Sequence, residues 1–310
     1  MDASAFEYFH VVARTGSISR AASELGMEPS TLTRHIGRLE QDVGVKLFHR
    51  SGRGMVLTDA GTLLLQEATK VVDTLRHTRR VAADLAAEGP SQIVIAAQPT
   101  IAQVCFGAMA RALQDRFPRA RLRVAEGFGH ELVEWLQEGK VDVALLYVPG
   151  QTQIADYELL LQEPLHCILP PGRVAPPSPL DTSALLDLPL VLPSTPQGLR
   201  ALAEKWAERH GKRLSLAMEC DGSTFMTRRL VQAGLGCSIL PLAAVHEDVS
   251  RGLLQAVRLE GMEALRSVAL ATAQNRPAVT DLWQITRLLR DVVAELVTAG
   301  QWPGVERMAA

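Results

Sequence analysis

The chain has 310 residues, a formal net charge of −2 and 47% hydrophobic residues. This length and apolar content support a core for two or three domains, and the near-neutral charge excludes a generally basic protein. No apolar run approaches the roughly 20 residues that cross a bilayer, and the first residues lack the basic start and apolar stretch of a signal peptide. We therefore expect a cytoplasmic protein with no membrane partner.

Residues 17–44 have the pattern of two helices joined by a tight turn. Ser17 suits the N-cap of the first helix, and Gly26 permits the turn. Pro29 suits the first position of the second helix, which Gly44 ends. The spacing is that of a helix-turn-helix, although an ordinary pair of core helices is the alternative.

The second of these helices carries the candidate DNA-reading residues. An α-helix fits the major groove, where each base pair presents its own pattern of donors and acceptors. Arg38 lies on the same amphipathic helix as the residues that we expect at base edges, which are Ser30, Thr31, Thr33 and Arg34.

Two short apolar runs around residues 47–48 and 55–58 predict a β-hairpin directly after these helices. The residues between them, 51–54, form a turn cluster. A hairpin in this position is the wing of a winged helix-turn-helix. We expect Arg50 and Arg53 to contact phosphate or the minor groove. A solvated hairpin is the alternative interpretation.

A long helix is predicted from Thr58, a plausible cap, to Gly89-Pro90, which would stop it. Aliphatic and small residues repeat along it with the alternating spacing of four and three that is typical of a coiled-coil seam. The pattern predicts a dimer, and the alternative is a helix packed on its own domain. The seam residues are Leu64, Ala68, Val71, Leu75, Thr78, Ala82 and Leu85.

Strands and helices alternate beyond Pro90, which predicts a parallel sheet covered by helices. We expect a first half with strands at 92–97, 122–125 and 141–146 and helices at 100–117 and 130–138. A second half has strands at 165–169, 190–192, 214–219 and 237–240 and helices at 198–210 and 224–233. The strand at 267–272, followed by a helix at 280–298, is expected to return to the first half. The chain would then cross twice between two lobes, near 160–164 and 262–267, and leave a cleft.

Polar and aromatic residues follow several of the predicted strands, where open α/β sheets bind ligands, often at helix N-termini. Taken alone, each of these residues can also be interpreted as a helix cap or a turn residue. Because hydroxyls and N–H groups at helix starts favour anions, we expect a small anionic metabolite in the cleft. Its candidate contacts are Gln98, Thr100, Phe128, Tyr147, Ser194, Thr195 and Ser223.

A specific combination of residues is spread over most of the first 60 positions. Its members are Phe6, Phe9, Val12, Thr15, Gly16, Ser17, Ala21, Ala22, Leu25, Leu32, Arg34, Ile36, Arg38, Leu39, Glu40, Gly44, Val45, Leu47, Phe48, Arg50, Arg53, Gly54, Leu57, Thr58, Asp59, Ala60 and Gly61. In these residues the chain resembles the LysR-type bacterial transcription regulators. One departure is Glu28-Pro29-Ser30, where the family often has Ser-Gln-Pro, so a base-reading glutamine is missing.

The resemblance implies an α/β multidomain protein that binds double-stranded operator DNA and a small-molecule effector. It implies dimers that pair into tetramers. The winged helix-turn-helix would span 1–58 and the linker helix 59–89. A two-lobed effector domain that resembles type 2 periplasmic binding proteins would span 90–310, with one lobe at 91–162 and 267–300 and the other at 163–266. Residues 130–147 and 278–304 are similar to the nitrogen assimilation control subgroup.

Motifs of enzymes are missing from the sequence, which has no GxSxG, no HExxH and no phosphate loop. We therefore expect no enzymatic activity and no cofactor. Unpaired cysteine spacing and scattered histidines argue against a metal site. The cysteines, Cys105, Cys167, Cys220 and Cys237, are expected as buried thiols, and a thiol switch through Cys220 and Cys237 is the alternative. The alternative function is a solute-binding receptor or an enzyme on the same two lobes, with the N-terminal helices serving only in assembly.

Overall fold

A computed structural model describes residues 2–51, 54–87, 89–148, 157–194, 198–273, 279–305 and 307–308 of the chain. The chain divides into two compact units, Met1–Glu88 and Gly89–Ala310. The first is a small helical unit with a hairpin, and the second is a larger α/β unit. The fold class expected from the sequence is confirmed.

The first unit is a winged helix-turn-helix followed by a long helix. Its elements are α1 (Ala3–Thr15), α2 (Ile18–Leu25), α3 (Pro29–Val43), β1 (Phe48–Ser51), β2 (Gly54–Leu57) and α4 (Asp59–Ala87). The two strands pair antiparallel, with Phe48 opposite Leu57. A core of buried apolar side chains from α1, α2, α3 and the hairpin holds the unit together, and the largest of its fully buried side chains are Phe9, Leu32, Leu39 and Leu47.

Local sequence explains where these helices begin and end. The Ser17 hydroxyl accepts a hydrogen bond from the Arg20 N–H at 3.4 Å, which caps α2. Gly26 and Gly44 follow α2 and α3 with φ angles of 65° and 79°, a left-handed backbone that favours glycine. Pro29 is the first residue of α3, where no backbone donor is lost.

Helix α4 packs along α1 of its own unit, and this corrects part of the predicted seam. Ala68 is buried in the core of the unit, with Leu64 packed against it. Val72, one residue from the predicted Val71, is also buried, whereas Val71 is 37% exposed. Apolar residues at helical spacing fit either neighbour, and α1 takes this face of the helix. Thr58 caps α4 by accepting from the Gly61 N–H at 2.9 Å.

The second unit contains two lobes that are joined by one eight-stranded sheet. Lobe 1 has β3 (Gln92–Ala97), α5 (Pro99–Arg116), β4 (Arg121–Glu126), α6 (Gly129–Gln137), β5 (Val143–Val148), β11 (Leu265–Thr272) and α11 (Leu282–Thr298). Lobe 2 has α7 (Thr182–Leu185), β7 (Leu190–Leu192), α8 (Leu199–Arg209), β8 (Leu216–Glu219), α9 (Thr224–Gln232), β9 (Ser238–Pro241), α10 (His246–Ser250) and β10 (Gln255–Arg258). Strand β6 (Tyr157–Leu169) belongs to both, and β12 (Arg307–Met308) pairs with it.

Parallel pairing of β3 with β4 and with β5 forms the βαβαβ arrangement expected from the sequence. Strand β11 returns to this sheet and pairs antiparallel with β5, with Val268 opposite Tyr147. The helices α5 and α11 cover one face, and their core includes Met109, Leu113, Ile285 and Leu289.

Strand β6 makes the first crossing between the lobes, and β11 makes the return. Residues up to Pro164 pair with β11, whereas Leu165 and the residues after it pair with β9 and β10. Both expected crossings are therefore present. The sequence predicted only 165–169 of β6, because Gln162, Glu163 and Pro164 interrupt its apolar pattern.

No helix among the described residues is long and apolar enough to cross a bilayer.

Candidate functional site

The exposed face of α3 is the first candidate site. Ser30, Arg34 and Arg38 are four residues apart, so they lie along one side of the helix, and all three are exposed. Leu32, Ile36 and Leu39 occupy the opposite side and are buried in the core of the unit. The face that carries the arginines is therefore turned outward, where a DNA groove could receive it.

Arg34 and Arg38 differ from the neighbouring basic residues in having no bonded partner in the part of the chain that the structure describes. Neither forms a hydrogen bond or an ion pair with another described residue. In contrast, Arg14 pairs with Glu24, the Arg20 guanidinium donates to the Thr15 carbonyl, and Lys46 pairs with Glu40 at 2.5 Å. The structure thus selects two free cations from a sequence region with many basic residues.

The other residues predicted on α3 have local roles as well. The Thr33 hydroxyl donates to the Pro29 carbonyl at 2.8 Å, and Thr31 is half-buried. Glu28 is the exposed N-cap residue of α3 without a side-chain capping bond, and its carboxylate lies at the positive end of the helix. A negative charge at this position weakens the attraction of the helix end to phosphate. Glu28-Pro29-Ser30 therefore differs from the family's Ser-Gln-Pro in charge as well as in sequence.

A buried acid, to which the sequence analysis assigned no structural role, fixes the wing to α3. The Glu40 carboxylate accepts from the backbone N–H groups of Leu47 at 2.9 Å and Phe48 at 3.3 Å. Burial works to raise its pKa, but the bonds from Lys46 and from these two N–H groups outweigh burial, and the pKa of Glu40 is lowered. The side chain of Arg50, and all of Arg53, lie outside the described residues.

Four of the predicted effector contacts lie at the carboxyl ends of the lobe 1 strands. The Gln98 side-chain oxygen accepts from the Tyr147 backbone N–H at 2.6 Å, and the Gln98 amide lies beside Gly129. Phe128 precedes Gly129 and is 47% exposed. Thr100 is in the first turn of α5 and is buried. The ends of β3 and β5 and the loop after β4 therefore lie close together.

Tyr147 belongs to a buried polar cluster at the point where the chain crosses between the lobes. Its hydroxyl donates to one oxygen of Glu163, and the Trp302 indole N–H donates to the other oxygen at 3.0 Å. Burial raises the pKa of Glu163 and, together with the Glu163 charge, raises the pKa of Tyr147 well above its ordinary value. The Tyr147 hydroxyl is thus committed to Glu163 and not to the cleft. No sequence signal marked Glu163, which follows Gln162 and lies outside the predicted strand at 165–169.

Arg266 completes this cluster from β11. It lies directly opposite Glu163 in the antiparallel pair of β6 and β11. Its guanidinium carbon is 3.5 Å from the centre of the Tyr147 ring, which is the geometry of a cation–π contact.

The lobe 2 residues form a separate group whose bonds stay within lobe 2. The Asp221 carboxylate accepts from the Ser194 backbone N–H at 2.8 Å and from the Ser194 hydroxyl at 2.6 Å. These bonds lower the pKa of Asp221. Ser223 is the N-cap residue of α9 and makes no side-chain capping bond. Thr195 lies outside the described residues. The donors of Ser194 are already engaged by an internal carboxylate, which an anionic ligand would have to displace.

All four cysteines are buried. The partner of Cys237 is Cys167 and not Cys220, because Cys167 and Cys237 lie on the same face of neighbouring strands. Their thiols share a hydrogen bond that raises the pKa of Cys167 and lowers that of Cys237 to about 7. Cys220 instead accepts from the Thr227 hydroxyl at 3.9 Å. Among the described residues, no group of His, Cys, Asp and Glu could hold a metal ion.

Two family profiles match this chain. Residues 4–62 match the bacterial regulatory helix-turn-helix protein profile of the lysR family, and residues 86–292 match the LysR substrate binding domain. The chain is 32% identical over 312 aligned positions to the HTH-type transcriptional regulator BbuR of Bordetella bronchiseptica, which covers 98% of this chain and 94% of that protein.

The chain belongs to the LysR family.

Solved structures of LysR-family proteins share the fold. The full-length structure of OxyR from Pseudomonas aeruginosa is similar with a TM-score of 0.67 at 22% identity, covering 100% of this chain and 99% of that one. CbnR in complex with its target DNA is similar with a TM-score of 0.67 at 19% identity, covering 95% of this chain and 99% of that one. Membership of the LysR family makes this protein a DNA-binding transcriptional regulator with an effector-binding domain.

Proposed function

We propose that this LysR-family regulator reads operator DNA with the exposed face of α3. The observation that carries the proposal is the pair of free, exposed guanidinium groups on Arg34 and Arg38, beside basic residues that are bonded internally. Arg34 acts at base edges with Ser30, Thr31 and Thr33, and Arg38 lies next to it on the same face. Arg50 and Arg53 of the wing contact phosphate or the minor groove. Such a protein works in the cytoplasm, where the DNA is.

The effector, a small polar metabolite, binds between the two lobes of the regulatory unit. Support comes from the convergence of Gln98, Thr100 and Phe128 at the carboxyl ends of the lobe 1 strands, next to the two strands that cross between the lobes. Ser194, Thr195 and Ser223 face the effector from lobe 2. Binding changes the angle between the lobes, and it shifts regulation only because the effector binds one form better than the other.

Self-association brings several DNA-binding units together. We propose dimers through α4, where Leu63 is 68% exposed and Val71 is 37% exposed, and tetramers through the regulatory units. Exposed apolar residues in lobe 2 support the second contact, namely Leu216, Met218, Phe225 and Met226. Val71→Glu places a charge in the dimer contact and should abolish dimers, whereas Val71→Ala should only weaken them. Light scattering that finds one unchanged oligomer for Val71→Glu would move the contact elsewhere.

A gel-shift competition tests the function itself. The full chain is bound to a labelled DNA fragment from upstream of its own gene, and unlabelled specific and scrambled fragments of equal length compete. We expect the specific fragment to compete at a concentration at least about a thousandfold lower than the scrambled one. Equal competition would reject operator binding and favour the two-lobed receptor or enzyme.

The effector site has its own test. Thr100→Val combined with Ser194→Ala removes one hydroxyl from each lobe, and calorimetry with a metabolite found by thermal-shift screening measures affinity. The Asp221 carboxylate already accepts hydrogen bonds from the N–H and the hydroxyl of Ser194. Asp221→Asn is therefore the matched variant: it removes this competing charge and should strengthen binding of an anion. If the double variant binds the effector with wild-type affinity, Thr100 and Ser194 are not part of the effector site. If the effector binds but leaves the DNA footprint unchanged, it does not regulate DNA binding.

A further inference from the structure

Arg266 is a half-buried cation that lacks a hydrogen-bond acceptor among the described residues. Among these residues it contacts the ring of Tyr147 and lies opposite Glu163 in the strand pair. Removing a charged group from water without a bonded partner is costly. A position of this kind is therefore one where an external anion would stabilise the protein.

Other enclosed arginines of the same unit make the contrast clear. Arg200 has a side chain 14% exposed and bonds Glu204, Glu219 and the Pro193 carbonyl. Arg228 is 18% exposed and pairs with Asp248 at 2.8 Å. Each of these guanidinium groups has an internal carboxylate within bonding distance. Arg266 is different although a carboxylate, Glu163, lies directly across the strand pair.

Glu163 accepts hydrogen bonds from other donors and makes none with Arg266. One of its oxygens accepts from the Tyr147 hydroxyl and the other from the Trp302 indole N–H. These two bonds also fix the ring of Tyr147 on which the guanidinium lies. Stacking uses the flat face of a guanidinium and leaves its five N–H groups in the plane free, in a fork that matches two oxygens of an acid.

The location suits a ligand that acts on the lobes. Arg266 is the second residue of β11, immediately after the return crossing from lobe 2. Its ring partner Tyr147 is held through its backbone N–H by Gln98, at the carboxyl ends of the lobe 1 strands. Burial lowers the pKa of Arg266, which agrees with a cation enclosed without a bonded partner.

We infer that Arg266 binds a carboxylate of the effector through its free guanidinium edge, with Tyr147 as the stacking platform and Glu163 as the residue that positions Tyr147. A singly charged, planar carboxylate fits better than phosphate, because the additional charge of phosphate would be repelled by Glu163. This inference rests on the proposed function, since it assigns the anion contact of the effector site.

The test uses the full chain labelled with 15N-arginine, with acetate as the probe. The Arg266 side-chain signal is assigned from its loss in Arg266→Lys. We expect it to shift and saturate with millimolar acetate at constant ionic strength, and to move little with acetamide or chloride. The signal of Arg200 is the matched control and should stay in place. Equal movement with chloride, or stronger binding of phosphate than of acetate, would overturn the inference.

Two variants separate this inference from the proposed function. Acetate should raise the Tm of wild type but not the Tm of Arg266→Gln. The variant should still bind DNA sequence-specifically. Glu163→Gln removes the charge that repels anions and should strengthen the binding of phosphate at Arg266 more than the binding of acetate. If Arg266→Gln still responds to acetate as wild type does, Arg266 is not the anion contact, whatever the gel shift finds. If wild type fails to bind DNA specifically, the proposed function is rejected, and the acetate titration still decides whether Arg266 binds an anion.

Discussion

The exposed face of α3 and the buried cluster at the lobe crossing use polar groups in opposite ways. On α3, Arg34 and Arg38 keep their donors free in solvent, where an uncompensated charge costs little. At the crossing, Tyr147, Glu163 and Trp302 satisfy one another inside the core. A free cation on a surface is suited to binding, whereas a satisfied buried network holds strands in one arrangement. Among the described residues, Arg266 has free donors like the arginines of α3, and it lies against the buried cluster through the ring of Tyr147.

The largest expected effect is on DNA binding by the free cations. Replacing Arg34 and Arg38 together by Ala should cost about 3 kcal/mol of binding free energy, roughly a hundredfold or more in affinity. The plot of log affinity against log salt concentration should also become less steep, because fewer counterions are released. Fluorescence anisotropy with labelled operator DNA over a salt series measures both quantities. An unchanged slope with unchanged affinity would show that this face does not meet DNA.

A smaller effect is expected when the buried cluster loses its acceptor. Glu163→Leu leaves the Tyr147 hydroxyl and the Trp302 N–H without a partner and should lower the free energy of unfolding by about 2 kcal/mol. Glu163→Gln keeps one acceptor and should cost less. Urea unfolding followed by tryptophan fluorescence gives both values. A Leu variant as stable as wild type would mean that the cluster does not hold the crossing strands.

Glu40 resembles Glu163 in being a buried acid that accepts hydrogen bonds, but it lies in the DNA-binding unit. Glu40→Gln should destabilise this unit by about 1–2 kcal/mol at neutral pH. The folded-state pKa of Glu40 is lowered below its usual 4.5, so its contribution is present above that pH and is lost as the pH falls through the folded pKa. The difference between wild type and variant in thermal unfolding should therefore shrink below pH 4.5. A difference independent of pH would exclude the carboxylate as its source.

The smallest effect is expected at Arg14, which is exposed and paired with Glu24. Arg14→Gln should change the free energy of unfolding by less than about 0.5 kcal/mol. Its affinity for operator DNA should stay within about twofold of wild type, since its charge is compensated internally. Anisotropy under the conditions used for the Arg34 and Arg38 variant makes the comparison direct. A large loss would mean that pairing inside the protein does not mark which arginines bind DNA.

The helix-turn-helix could be predicted from the sequence because its signals are local. Ser17, Gly26, Pro29 and Gly44 each set a backbone position, and the structure places each of them where the pattern required. The seam of α4 was only partly right, since apolar spacing does not say which neighbour a helix will meet. Leu64 and Ala68 meet α1.

The polar chemistry of the regulatory unit could not be predicted in the same way. Glu163, Arg266 and Trp302 come from three distant parts of the chain, and only the pairing of β6 with β11 and the return of the C-terminal segment bring them together. Gln98 and Tyr147 were predicted near one edge of the sheet because parallel strands share that edge. The bond between Ser194 and Asp221 depends on the turns after β7 and β8, whose geometry no local pattern determines.

The central claim is that Arg34 reads bases and does not merely attract phosphate. The direct test measures the affinity of wild type and Arg34→Ala for an operator selected from random DNA and for a scrambled fragment at the same salt concentration. The account predicts that the variant loses about 1–3 kcal/mol on the operator and much less on the scrambled fragment, so that the specificity ratio falls. An equal loss on both fragments, with the ratio unchanged, would contradict it.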